Sequence, residues 1–187
     1  TWHREAPYYT ESGWRGSLET EGGGVLINQS IHTLDLLVQF LGRAGQVEAS
    51  MGNHHLKGVI EVEDTLEAYI TFGDAHALFY ATTAHCADSP VLVELVCENA
   101  TLRMEEQEVT LSWKDGTKEH FSLAQPKAPA GSKAYWGASH SLCIGDFYTC
   151  LREGKPFPND IPGIADTAQL LLGVYESARE QRVVSLA

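Results

Sequence analysis

The stretch that decides the fold runs from residue 21 to residue 42 and reads EGGGVLINQSIHTLDLLVQFLG. Its apolar residues recur at helical spacing, so they form one stripe along a helix that faces a core. Gly42 follows the last apolar position, as glycine often does where a helix ends. The pattern predicts a helix over about 25–41, and its core-facing stripe consists of Ile27, Ile31, Leu34, Val38 and Leu41.

The same helix carries a polar row beside this stripe. Asn28, His32 and Asp35 lie at i, i+4 and i+7, which places them on one flank. Because an imidazole exchanges a proton near neutral pH, His32 is a candidate general acid or base. Asn28 could hold the ring or a substrate hydroxyl, and Asp35 could orient the ring from the other side. The alternative is a half-buried histidine satisfied by local hydrogen bonds, and spacing alone favours that alternative.

The glycine triplet over 22–24 precedes this helix and invites comparison with phosphate-binding loops. The dinucleotide fingerprint needs a glycine where this chain has Ile27, and the Gly-Lys-Ser/Thr of a P-loop is absent. We therefore expect a tight turn that lets backbone pack closely at the start of the helix. A weak anion site is the alternative, since helix N-termini favour negative charge.

Downstream of the helix, the chain reads as a series of strands joined by short turns, which implies antiparallel pairing. Two helices, over about 136–152 and 164–180, should follow a Pro/Gly/Ala loop over 124–134. The predicted class is α+β, a large, mostly antiparallel open sheet with helices packed on one face. Alternating apolar and polar residues predict strands near 47–51, 66–72, 75–84, 91–98, 101–104, 108–113 and 118–123.

Composition limits the classes of function. The 187 residues are 43% hydrophobic and 20% charged, which fits one globular domain over 1–187. A net charge of -12 repels phosphate backbones, so no nucleic-acid partner is expected. The sequence has no run of 18 apolar residues, so no membrane span is expected either. The four cysteines show no CxxC or zinc-like spacing, which indicates buried, reduced thiols in a cytoplasmic protein and no metal site.

A series of motifs occurs in order along the chain. It comprises Trp2-x-Arg4, Tyr8-Tyr9, Trp14-Arg15-Gly16, the block GGG…NQxxHxxD over 22–35, EVEDT over 61–65, Tyr135-Trp136-Gly137 and His140. Together these motifs resemble the C-terminal domain of Gfo/Idh/MocA oxidoreductases, and the block over 22–35 is their most specific part.

This resemblance implies a two-domain subunit whose N-terminal Rossmann domain binds NAD or NADP and is absent from this chain. The chain would supply the pocket for a sugar or cyclic polyol and the sheet through which a homodimer or homotetramer forms. Hydride would pass between the cofactor and a sugar carbon. His32 falls on the family's catalytic histidine, and a lysine of the missing domain would share the proton transfer. The fragment alone is therefore expected to be inactive.

Position 28 departs from the resemblance, since many family members have Asp where this chain has Asn28. A carboxylate can relay a proton, whereas an amide only forms hydrogen bonds. A non-catalytic sugar or nucleotide sensor, or an assembly module, therefore stays an alternative on the same fold. Beside the catalytic candidates His32 and Asn28, side chains suited to sugar faces and hydroxyls predict substrate contacts from Arg15, Trp14, Tyr9, Tyr135 and His140.

Overall fold

The structure is a computed structural model that describes residues 1–122 and 139–186. The chain divides into two compact units, one formed by Thr1–Ser89 with Ile164–Ala187 and the other by Pro90–Gly163. The predicted loop over 124–134 and the first residues of the predicted helix over 136–152 lie outside the described residues.

The helices and strands follow the predicted order, with three short additions. The segment before residue 25 contains two short helices, and a two-residue strand lies near the C-terminal end. In chain order the elements are α1 (Ala6–Thr10), α2 (Leu18–Glu21), a π-helical turn (Leu26–Ser30), α3 (Ile31–Leu41), β1 (Gln46–Gly52), β2 (Thr65–Phe72), β3 (Ala75–Thr82), β4 (Leu92–Val96), β5 (Ala100–Glu105), β6 (Glu108–Trp113), β7 (Lys118–Ser122), α4 (Ser139–Glu153), α5 (Ala165–Glu180) and β8 (Val184–Ser185).

The sheet of the first unit has the order β3-β2-β1-β8, and each neighbouring pair is antiparallel. Period-2 alternation along β2 buries Leu66 and Ile70 and turns Tyr69 to the opposite face. Helices α3 and α5 pack against the sheet. The buried face, on which these helices pack, therefore matches the prediction of helices on one side.

The core of this unit is built where the helical stripe meets the sheet. Leu34 and Val38 are buried, and Ile27, Ile31 and Leu41 pack against the same cluster. The predicted stripe is therefore confirmed. The largest fully buried side chains are Leu26, Leu34, Leu66, Ile70 and Leu170.

The second unit contains an antiparallel sheet of order β4-β5-β6-β7 and helix α4. The α+β class and the antiparallel pairing are confirmed. The expectation of buried cysteines is wrong for Cys86, Cys97 and Cys143, which are exposed. Cys97, for example, lies just beyond the end of β4. Within the described residues, no helix has both the length and the apolar content needed to cross a membrane.

Asp64 anchors the loop that leads from β1 to β2. Its carboxylate is fully buried and accepts the backbone N–H groups of His54, His55 and Leu56 and the hydroxyl of Thr65. Burial alone would raise the pKa of this carboxyl, but the hydrogen bonds outweigh burial and lower the pKa below its ordinary value. The charged form is therefore the one that holds the loop.

Asp64→Asn should destabilise the protein by roughly 3 kcal/mol at neutral pH, because hydrogen bonds to a charged acceptor are lost and an amide N–H faces backbone donors. A lowered folded-state pKa contributes stability above the ordinary Asp value of 3.8, and that stability is lost as the pH falls through the folded value. The gap between wild type and variant in urea unfolding should therefore shrink from pH 7 to pH 3. Asp74→Asn, in an exposed turn, is the control, and a gap independent of pH would contradict this account.

Candidate functional site

The start of the candidate site helix is fastened by a buried carboxylate. Glu63 is 7% exposed, and its side chain accepts the N–H of Gly24 at 2.9 Å and the N–H of Leu26 at 3.1 Å. The Tyr175 hydroxyl donates to the same carboxylate at 3.0 Å. The anion at this helix start is therefore the protein's own Glu63, which occupies the position considered above for an external anion.

The glycine triplet allows this close approach. A Cβ on Gly24 would lie 1.9 Å from the backbone oxygen of Glu63, and a Cβ on Gly23 would lie 2.1 Å from the Tyr175 hydroxyl. Gly22 ends α2 with a φ of 82°, a conformation that favours glycine. The prediction of a tight turn with closely packed backbone is confirmed.

Tyr175 brings α5 into the same cluster. Burial raises the pKa of its hydroxyl far above the ordinary value, and the neighbouring Glu63 carboxylate raises it further. Tyr175 is therefore a neutral hydrogen-bond donor at physiological pH. Its contact with Glu63 links the C-terminal helix to the start of the site helix across 112 residues of sequence.

Asn28 and His32 lie on consecutive parts of the helix. Asn28 sits half-buried in the π-helical turn, and His32 is exposed in the first turn of α3. Single π-helical turns occur frequently at functional sites, because the extra residue redirects the side chains around it. The helical spacing correctly predicted a polar flank, but it gave no signal for the π-helical turn.

The neighbours of His32 on that flank are held by other residues. Asn28 Nδ2 donates to the Glu21 carboxylate. Asp35 Oδ1 accepts from the Thr167 hydroxyl at 2.6 Å, which ties α3 to α5. The structure thus gives Asp35 a role in packing two helices, whereas the sequence suggested that it orients the imidazole.

Arg15 and Trp14 form an aromatic and cationic surface in the loop before α2. The Arg15 guanidinium lies 4.2 Å from the centre of the Tyr8 ring and 5.1 Å from that of Trp14. Trp14 is 47% exposed, so part of its side chain is open to solvent. Arg15 Nε is buried and has no hydrogen-bond partner among the described residues. The sugar contact predicted for these two residues stays a prediction.

Tyr9 is placed differently, in the protein interior. Its ring is 5% exposed and packs with Leu56, Ile60 and Val62 in a small hydrophobic cluster. The structure therefore gives Tyr9 packing contacts in place of the open ring face that stacking on a sugar needs. His140 is exposed in α4 of the second unit, and Tyr135 lies outside the described residues.

Glu21, Glu63 and Tyr175 were not among the predicted site residues. In the sequence, Glu63 stands in the EVEDT motif and Tyr175 in a predicted helix, and neither position signals a site. The contacts of Glu63 and Tyr175 join residues 37 to 112 positions apart, which no local pattern reveals. The contacts of Glu21 reach only five and seven positions along the chain, but the glycine turn at Gly22 interrupts the helical spacing between Glu21 and Asn28. A cavity of about 250 Å³ lies beside them, lined in part by Gly23, Glu63, Tyr175 and Arg179, and its lining does not include His32.

Comparison with known proteins identifies the family. A profile described as the GFO/IDH/MocA C-terminal domain matches residues 1–103. The chain therefore belongs to the Gfo/Idh/MocA C-terminal domain family. No curated protein matches the chain.

Solved structures share the fold at low sequence identity. An oxidoreductase from Agrobacterium radiobacter in complex with NAD+, L-tartaric acid and magnesium is 17% identical, with a TM-score of 0.81 over 95% of this chain and 53% of that one. A levoglucosan dehydrogenase in complex with NADH and levoglucosan is 21% identical, with a TM-score of 0.79 over 99% of this chain and 56% of that one. The WlbA dehydrogenase from Bordetella pertussis, in complex with NADH and UDP-GlcNAcA, is 24% identical, with a TM-score of 0.67 over 100% of this chain and 52% of that one. The chain spans about half the length of these proteins.

The glycine-rich segment does not fit the diphosphate of a dinucleotide cofactor. A diphosphate at a helix start needs free backbone N–H groups. Here the Glu63 side chain accepts the backbone N–H groups of Gly24 and Leu26. The Glu63 backbone oxygen accepts the N–H of Val25. A second anion beside the buried carboxylate would be repelled. The described residues therefore offer no diphosphate cradle at this place.

Proposed function

We propose that the chain is the substrate-binding domain of an NAD(P)-dependent oxidoreductase that acts on a sugar, a sugar derivative or a cyclic polyol by hydride transfer. The observation that carries the proposal is the placement of His32. It is a solvent-accessible imidazole directly after a π-helical turn, on a helix whose start is fixed by Glu63. The family membership supports the reaction class.

In this proposal His32 exchanges a proton with the substrate hydroxyl at the carbon that is oxidised or reduced. Asn28 hydrogen-bonds the ligand from the adjacent turn, and Arg15 with Trp14 contacts the hydroxyls and apolar face of the sugar. NAD or NADP would be held mainly by an N-terminal domain outside this chain. This placement of the cofactor agrees with the glycine triplet, where the Glu63 carboxylate already fills the anion position.

The ligands named in similar structures support the substrate class. They are levoglucosan, L-tartaric acid and UDP-GlcNAcA, all of which carry hydroxyl groups. A site with an imidazole and an amide suits such ligands, because hydroxyls both donate and accept hydrogen bonds.

The test is a turnover assay of the full-length protein with NAD+ and NADP+ against free sugars, sugar acids, nucleotide-linked sugars and inositols. We expect reduction of one cofactor with at least one of these classes. The 187-residue chain alone should give no saturable NAD(P)H fluorescence signal. Ligand binding without turnover would support the sensor, and tight NADH binding by the chain alone would contradict the two-domain proposal.

We further propose that the open face of the β3-β2-β1-β8 sheet forms the contact of a homodimer or homotetramer. Leu78 is 83% exposed there, beside Tyr80 at 56% and Tyr69 at 44%. Side chains of this size, adjacent on one face, form an apolar patch of the kind that marks protein interfaces.

Leu78→Lys should weaken self-association roughly 10- to 100-fold, because a charge replaces a leucine in the middle of an apolar contact. Light scattering across a dilution series measures this directly. Leu172→Lys, at an exposed leucine on α5, is the matched control. A monomeric wild type, or equal association of both variants, would refute the assignment of this face.

A further inference from the structure

The Glu21 carboxylate joins two segments that surround the candidate site. One of its oxygens accepts the backbone N–H of Gly16, and the other accepts the side-chain amide of Asn28. Glu21 is the last residue of α2 and is half-buried, so these contacts are partly shielded from water. Both oxygens of the carboxylate thus have defined partners.

These contacts determine which way the Asn28 amide faces. An ionised carboxylate accepts hydrogen bonds and donates none, so the nitrogen of the amide, and not its oxygen, must face Glu21. Nitrogen and oxygen lie on opposite branches of the planar amide, and Oδ1 is therefore directed away from Glu21. Within residues 1–122 and 139–186, the structure gives Oδ1 no donor.

Two further polar atoms near this point in the sequence are unpaired. Arg15 Nε, next to Gly16, and Gln29 Oε1, next to Asn28, are buried and have no hydrogen-bond partner among the described residues. Buried polar groups are almost always paired in folded proteins. These two atoms therefore leave hydrogen-bonding capacity unused within the described residues on either side of the Glu21 contacts in sequence.

We propose that Glu21 is a positioning residue that orients the Asn28 amide and thereby makes Asn28 a hydrogen-bond acceptor for a hydroxyl of the ligand. This inference rests on the proposed function and extends it to specificity. The site selects a ligand that donates a hydrogen bond at this point. A ligand with only an acceptor there, such as a fluorine or a methyl ether, cannot donate to Asn28 Oδ1. Two acceptors then face each other, and the ligand loses affinity.

Glu21→Gln tests this inference because glutamine can keep the Gly16 contact through its oxygen and turn its own NH₂ toward Asn28. The Asn28 amide must then flip and offer its nitrogen to the ligand. In the full-length protein, wild type should prefer a hydroxyl ligand about tenfold over its deoxyfluoro or O-methyl analogue at the contacted position. The variant should lose most of that preference in KM, with a smaller change in kcat. Glu19→Gln, an exposed position in the same helix, should behave as wild type.

A reciprocal exchange provides a readout that needs no substrate. Asn28→Asp sets two carboxylates against each other, so its loss of thermal stability should be larger at pH 8 than at pH 5, where a shared proton relieves the repulsion. The double variant E21Q/N28D restores an amide facing a carboxylate and should recover the wild-type melting temperature. In the turnover assay it should also recover the hydroxyl preference.

Two stability results would overturn the inference. One is an N28D variant as stable as wild type at both pH values, and the other is a double variant no better than the sum of its single changes. A wild type without turnover would refute the proposed function. The melting temperatures of N28D and of the double variant would still confirm or reject the Glu21–Asn28 pairing. An active wild type whose ligand preference is unchanged by Glu21→Gln would refute the inference alone.

Discussion

Replacement of His32 by alanine should lower kcat of the full-length protein about 10²–10⁴-fold, the usual contribution of a general acid or base. The effect follows from the chemistry of the imidazole, which lies on the exposed flank of α3 between Asn28 and Asp35, whose side chains are bonded to other residues. His32→Asn should be nearly as damaging, since an amide keeps hydrogen bonding but does not titrate near neutral pH. Steady-state kinetics across pH would measure both variants.

The same substitution should change folding little. His32 is exposed and lies off the buried stripe that contains Leu34 and Val38. Leu34→Ala, on the same helix, should instead cost about 2–5 kcal/mol of stability through the cavity that it leaves. A folded His32→Ala variant with wild-type kcat would leave His32 as a surface residue and move the proton transfer outside this chain.

Gly24→Ala should have the largest effect on folding of the substitutions considered, with a loss above about 4 kcal/mol or no folded protein. A Cβ at this position would lie 1.9 Å from the backbone oxygen of Glu63 and 2.9 Å from its backbone carbon. The atoms in the way belong to the backbone, so no rotamer change relieves the overlap. Separation of the two segments would also break the hydrogen bonds from Gly24 and Leu26 to the Glu63 side chain.

Gly13→Ala is the matched control, because a Cβ at that glycine meets no atom within 4 Å. Thermal unfolding of both variants by circular dichroism would separate a local overlap from a general cost of changing glycine in this region. A Gly24→Ala variant with the melting temperature of wild type would show that the close approach to Glu63 is not required. Expression of soluble, folded Gly13→Ala is needed for the comparison to count.

The parts of the fold that the sequence predicted are those encoded by local periodicity. Every member of the stripe from Ile27 to Leu41 packs in or against the core, because a 3.6-residue repeat carries its own burial pattern. The strands on either side of the Gly73 turn follow from alternation in the same way. The two-residue strand β8 was too short to show any period.

The parts that the sequence did not predict depend on tertiary contacts that no local repeat encodes. Tyr9 and Trp14 are both aromatic residues in the same loop region, yet one is buried and the other is exposed. The sequence shows Asn28 where many family members have Asp, but it does not show that the Glu21 carboxylate contacts Asn28. Amphipathic side chains serve either cores or ligands, and only the tertiary environment distinguishes these uses.

The most direct measurement of the central claim is a structure of the full-length protein with NAD(P)H and the ligand that the turnover assay selects. We expect a ligand hydroxyl within about 2.6–3.2 Å of a ring nitrogen of His32, as proton transfer requires. We also expect a hydrogen bond from the ligand to Asn28 Oδ1, and the cofactor diphosphate away from the glycine triplet at 22–24. A ligand bound out of reach of His32, or a diphosphate that displaces Glu63 from Gly24, would contradict the proposed function.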